Sequence, residues 1–134
     1  MEIHPYNSQD LLVRFCKEEG IVVTAFSPLG SSSYVELNMA TGNDSCMLEP
    51  VVKDIAQGKG KTPAQILLRW GLERGMAIIP KSTKVARLKE NIGLLDFTLS
   101  AEDMQQLATL ERGRRFNDPG AFTLGMNTFC PIYE

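Results

Sequence analysis

The chain has 134 residues, 43% of them hydrophobic and 22% charged, enough to bury the core of one domain or of a piece of one. A net charge of −2 leaves no footprint for nucleic acid or an anionic membrane, and no apolar run approaches the ~20 residues of a membrane span. The first residues lack the basic and apolar regions of a signal peptide, and three widely spaced cysteines (Cys16, Cys46 and Cys130) suit reduced thiols in a cytoplasmic protein.

Residues 1–3 are too few to assign by pattern. Asn7 or Ser8 can cap a helix reaching about Glu18, with Leu11, Leu12, Phe15 and Cys16 on one face and Gly20 ending it. Residues 21–26 are β-branched and nearly continuous in apolarity, as a strand of a covered parallel sheet should be. Ser27-Pro28-Leu29-Gly30 breaks that strand. Residues 31–47 carry no usable period, and so long a loop in a compact domain is usually a lid or a binding loop.

Pro50 starts a short helix carrying Val51, Val52 and Ile55 and closing near Gly58. Thr62, Pro63 and Gln65 make a capping box for a helix with Ile66, Leu67, Trp70 and Leu72 inward. Residues 76–79 read as a buried strand stopped by Pro80, followed by a helix whose Val85, Leu88 and Ile92 are spaced to face a core. A last helix begins at Ser100 with Asp103 three residues on, and turns Met104, Leu107 and Leu110 inward. The tail from Arg112 is irregular and aromatic. Three strand–helix units in succession predict an α/β fold with a parallel sheet.

Two stretches carry candidate chemistry. After the strand at 76–79 stand Lys81, Ser82 and Thr83, then a helix on which Arg87, Glu90 and Asn91 share a face. A helix N-terminus, a point charge and a planar guanidinium suit a phosphate with a purine beside it. A solvated basic turn fits the spacing equally well. After the strand at 21–26, Phe26-Ser27-Pro28-Leu29-Gly30-Ser31 offers backbone N–H groups and hydroxyls that can line a pyrophosphate, although Pro-x-Gly alone more often marks an ordinary turn. Gly60-Lys61-Thr62 is no P-loop, because Ile55 stands where that loop needs its first glycine. His4, the single histidine, reads as structural, since no nucleophile or carboxylate pair clusters near it.

The pattern Ile-Pro-Lys-Ser, four residues, Arg, two residues, Glu-Asn resembles the C-terminal signature of the aldo-keto reductases. The turn after Phe26 and the His4-Pro5-Tyr6 stretch resemble that family too. The resemblance implies the last three βα units of a partial (β/α)8 TIM barrel over about 1–111, with a C-terminal substrate loop over 112–134. It implies NADPH/NADP as cofactor, with Lys81, Ser82 and Arg87 at the 2′-phosphate, Glu90 and Asn91 at the adenine, and Thr83 also among the cofactor-binding residues. Phe26 would stack on the nicotinamide, where most relatives carry Tyr, and Ser27, Pro28, Leu29, Gly30 and Ser31 would fold over the pyrophosphate. Many relatives latch that loop with an Asp shortly after the turn; Ser31-Ser32-Ser33 offers none. Phe116 and Phe122 would close one wall of the pocket for an aldehyde or ketone.

The family's catalytic Asp, Tyr, Lys and His belong to the first half of its barrel, and none of their motifs occurs here. The expectation is therefore a reductase fragment with half a cofactor site and no catalytic residues or metal. Two open sheet edges would favour self-association. The alternative is a non-catalytic half-barrel module for binding or assembly.

Overall fold

A computed structural model describes residues 1–31 and 34–120. The elements in chain order are α1 (Asp10–Glu18), β1 (Thr24–Ala25), α2 (Pro50–Lys59), α3 (Pro63–Glu73), β2 (Ala77–Ile78), α4 (Val85–Ile92) and α5 (Ala101–Ala108), with two 3-10 turns between β1 and α2. β1 and β2 pair in parallel, Thr24 opposite Ala77. Residue 2 adds a parallel bridge to Phe26 on the other side of β1. The sheet is thus three short parallel segments, which puts the chain ends after Phe26 and after Ile78 side by side.

Local chemistry sets the helix starts. Thr62 accepts from the Gln65 amide while the Gln65 side chain accepts from the Thr62 amide, and Ser100 with Asp103 repeats the device at α5. Pro50 and Pro63 sit in first turns, where a missing N–H costs nothing. Gly60 closes α2 at φ 61°, two residues beyond the Gly58 the sequence suggested. The core gathers Ile3, Tyr6, Ala25, Val52, Ile66, Leu67, Trp70, Leu107 and Phe116. Thr24 and its partner Ala77 are exposed, as are Ile21, Val22 and Ile79, so the strands are not buried on both faces as their apolar runs suggested.

Two predicted apolar faces are not buried. On α1, Leu11, Leu12 and Phe15 are exposed, while Val13 and Cys16 reach the core. On α4, Val85, Leu88 and Ile92 are exposed as well, at 67%, 42% and 78%. The periodicity is real, but these flanks stay exposed; on α4, Leu88 and Ile92 line an open cavity with Leu72, Ile78 and Ile79. α1 also starts later than predicted, at Asp10, after Gln9 in a left-handed conformation with no side-chain cap. The two central strands are shorter than their apolar runs.

The two ends of the described chain are bound together. The Ser8 amide donates to Glu111, the Arg112 and Arg114 amides donate to the Tyr6 carbonyl, and the Phe116 and Asn117 amides donate to the Glu2 carboxylate. Residues 111–117 therefore run along residues 2–8 instead of hanging free as a tail.

Candidate functional site

β2 leaves the sheet at Ile78, and Pro80 prevents further pairing, so residues 81–84 turn out over the strand tips. There the Ser82 hydroxyl accepts from the Lys84 amide at 3.2 Å, closing a tight turn that launches α4. Lys84, the N-cap of α4, makes no side-chain cap, so the first-turn amides of the helix keep their dipole for an outside anion.

These residues line a cavity of about 900 Å³. Its wall brings together Lys81, Ser82, Thr83, Arg87, Glu90 and Asn91 from the β2–α4 side with Leu29 from the turn after β1. Its other wall is Thr62, Pro63 and Ala64 at the start of α3, with Glu36 and Met47 from the long loop and Lys84 from α4's cap. Three cations, Lys81, Lys84 and Arg87, thus face two carboxylates. Of those, Glu90 is already engaged: it accepts from the Thr62 hydroxyl at 2.5 Å. Gln65 ties the same helix down by donating to the Glu90 and Gly93 carbonyls. Lys81 and Arg87 themselves are exposed, and their charged ends are available to a ligand.

The turn after β1 is built differently. Phe26 is held on both backbone sides, its amide donating to Met1 at 2.9 Å and its carbonyl accepting from Ile3 at 3.3 Å. Ser27 then takes φ 52°, a left-handed conformation that costs a non-glycine residue on the order of 1 kcal/mol. The Gly30 amide closes the turn on the Ser27 carbonyl at 2.8 Å. Gly30 has φ 84°, and a Cβ there would meet Cys46 Sγ at 3.2 Å and the Phe116 ring at 3.6 Å. Beyond it the Tyr34 hydroxyl lies 2.8 Å from Ser27 Oγ. Pro28, Gly30 and Ser31 are buried and Phe26 is half-buried, so of this turn it is Leu29 that reaches the cavity.

Beneath the turn, Glu2 is buried at 2% exposure. Burial pushes its carboxyl up, but hydrogen bonds from His4 and from the Phe116 and Asn117 amides outweigh that and hold it below the ordinary range. His4 Nε2 lies 3.1 Å from Glu2 and the ring is fully buried, in keeping with the structural role read from the sequence. Burial pushes the Cys46 thiol up to about 12, so it is a packing group and not a nucleophile at neutral pH. Phe116 is 1% exposed and packs against His4, Tyr34 and Gly30. Phe122 lies outside the described residues. Among the described residues, no cluster of three or more His, Cys, Asp or Glu could hold a metal ion, and no helix is long and apolar enough to cross a membrane.

Sequence reasoning missed Glu36, Met47, Lys84 and the start of α3 as walls of the cavity. The capping-box threonine was visible, but its contact with Glu90 spans 28 residues and has no local signal. Glu36 and Met47 come from the long loop that the sequence marks as a lid or binding loop, but without a period nothing says which of its residues point inward.

The sequence profile of the Aldo/keto reductase family matches residues 1–112. The chain belongs to that family. It is 45% identical over 131 residues to a probable NAD(P)H-dependent D-xylose reductase of Emericella nidulans, covering 96% of this chain and 41% of the relative. It is 42% identical over 130 residues to the 4-dihydromethyl-trisporate dehydrogenase of Mucor mucedo, covering 96% of this chain and 40% of that one. The crystal structure of a Gox0644 mutant in complex with NADPH superposes with a TM-score of 0.73 at 32% identity, over 86% of this chain and 39% of the other. The fold is accordingly of the TIM-barrel type. The chain spans about 40% of the length of the curated relatives it matches.

Proposed function

We propose that this aldo-keto reductase chain carries the adenosine-phosphate side of an NADPH site, serving hydride transfer between NADPH and an aldehyde or ketone in a complete barrel. The observation that carries this reading is the single cavity that joins Leu29 to Lys81, Ser82, Thr83, Arg87, Glu90 and Asn91 at the tips of adjacent parallel strands. Lys81 and Arg87 supply charge-assisted hydrogen bonds to the 2′-phosphate, and the uncapped N-terminus of α4 favours the same anion. Glu90 and Asn91, one turn further along α4, accept from and donate to the adenine edge. Ser27, Pro28, Gly30 and Ser31 shape the loop over the pyrophosphate from behind, while the Phe26 ring stacks on the nicotinamide.

When bound, the cofactor supplies the hydride; these residues bind it and orient it. The proton donor and its tuning partners come from elsewhere in the barrel, so the chain alone binds without turnover. The exposed apolar flanks of α1 and α4 favour self-association of the isolated chain, which size-exclusion chromatography would register as a species larger than the monomer.

Calorimetric titration with adenosine 2′,5′-bisphosphate, against AMP as the control, tests the reading. The bisphosphate is expected to bind roughly tenfold or more tightly than AMP, the difference made by one paired phosphate, and to weaken with salt. Equal binding of the two would refute a 2′-phosphate site, and aldehyde-dependent oxidation of NADPH by the purified chain would refute the division of labour.

A further inference from the structure

The Ser27–Gly30 turn has no charged group of its own to hold it, yet its geometry is fixed at both ends. What fixes its outer end is a segment more than 80 residues away in sequence. The Phe116 ring stacks on Tyr34 with centroids 6.0 Å apart and planes at 14°, and the same ring lies beneath Gly30. The Tyr34 hydroxyl then reaches back to Ser27 Oγ at 2.8 Å. A second tie runs from Arg114, whose guanidinium donates to the Met39 carbonyl at 3.2 Å while lying 5.1 Å from the Phe116 ring centroid. Phe116 is itself held from below: its amide and that of Asn117 donate to Glu2 at 2.8 and 3.1 Å. Glu2 in turn is bridged to Phe26, the residue from which the turn departs.

We propose that Glu2 and Phe116 are positioning residues for the pyrophosphate loop, and that residue 116 belongs to the cofactor half of the site and not to the substrate pocket. Glu2 fixes the height of the Phe116 ring relative to β1. The ring sets the place of Tyr34, and Tyr34 holds Ser27 in its left-handed conformation. Glu2, Phe116 and Tyr34 thereby preorganise the turn, which lowers the ordering cost of binding. The inference rests on the cofactor reading above, because it assigns a role to the support of a loop which that reading places over the pyrophosphate.

The test uses the full chain and two ligands. NADPH spans both the cavity and the loop, whereas adenosine 2′,5′-bisphosphate engages the Lys81–Arg87 side. Phe116→Leu keeps an apolar side chain in the buried site but removes the stack, and is expected to weaken NADPH roughly three- to tenfold, the size of one lost aromatic pair. Tyr34→Phe keeps the stack and deletes the bond to Ser27, with an expected loss of about two- to fivefold. Both variants leave the bisphosphate within twofold of the parent. Glu2→Gln removes one of the two acceptor oxygens and follows Phe116→Leu in direction. If Glu2→Gln does not fold, the other two variants decide the matter.

Unchanged NADPH affinity in Phe116→Leu overturns the proposal. Parallel loss of both ligands also overturns it, because that pattern means general destabilisation. If the parent chain binds the bisphosphate but the variants bind NADPH like the parent, this inference fails while the cofactor reading stands. If the parent binds neither ligand, both fail.

Discussion

The two halves of the candidate site are built in opposite ways. Around Lys81 to Asn91 the functional side chains are exposed or half-buried, and their geometry comes mainly from one turn and one helix, which Thr62 and Gln65 brace from α3. Around Ser27 to Ser31 the residues are mostly buried, and their geometry comes from Met1, Glu2, Tyr34 and Phe116. The first half is a surface of ligand-facing groups on a local frame; the second is a backbone shape imposed by distant packing. Mutations should therefore separate cleanly. Changes in the first half should cost affinity and spare stability, and changes in the second should cost both.

The largest effect is expected from Lys81→Ala with Arg87→Ala. Two charge-assisted contacts are removed, so adenosine 2′,5′-bisphosphate affinity should fall on the order of a hundredfold or more. The melting temperature should stay within about 2 °C, because exposed side chains contribute little to stability. A large thermal loss in this variant would erase the contrast between the two halves.

Gly30→Ala comes next and acts on the other half. It places a Cβ at φ 84° and against Cys46 Sγ, a combination worth about 1–2 kcal/mol. For a chain of this size that corresponds to a fall of roughly 4–8 °C in melting temperature, measured by calorimetry. NADPH affinity should fall with it, because the turn cannot close on the Ser27 carbonyl in the same way.

Legibility in the sequence followed the same division. The Lys81–Asn91 stretch could be read directly, because its residue types, spacing and flanking strand all lie within about fifteen positions. The capping boxes at Thr62 and Ser100 were readable for the same reason. The loop's supports were not: Glu2 meets Phe116 across 114 residues, and a carboxylate that accepts from two backbone amides leaves no side-chain pattern to find. The substrate-wall reading of Phe116 and Phe122 came from the family resemblance, and no local signal marks the contact of Phe116 with Tyr34. The faces of α1 and α4 were readable as apolar, but periodicity cannot say whether a neighbour is present to cover them.

Acid sharpens the comparison further. The Glu2 carboxyl is held below its ordinary value of 4.5, so the folded state favours the ionised form. Its contribution to stability is complete above that ordinary value and is lost as the pH falls through the lowered one. Hydrogen exchange at the Phe116 and Asn117 amides should accordingly show protection that declines in that acid window, beyond the intrinsic pH dependence of exchange. Glu2→Gln should flatten the response at these two amides. In the Lys81–Asn91 segment the engaged carboxylate, Glu90, accepts from the Thr62 hydroxyl, so the backbone amides there should show no matching step.

The smallest expected effect belongs to Glu36→Gln. Glu36 is an exposed carboxylate lining the cation-rich cavity, so removing its charge should tighten the bisphosphate by up to about fivefold. The gain should shrink as salt is raised. Weaker binding would mean that Glu36 acts as a hydrogen-bond acceptor for the ligand.

The most direct measurement is backbone amide NMR of the chain titrated with NADPH and, separately, with adenosine 2′,5′-bisphosphate. Two phosphate-binding loops at neighbouring strand tips, gripping one dinucleotide, predict that NADPH shifts the amides of both residues 27–31 and residues 81–91, while the bisphosphate shifts chiefly the second set. Shifts confined to one set with NADPH, or scattered over the exposed flanks of α1 and α4, would contradict a shared site.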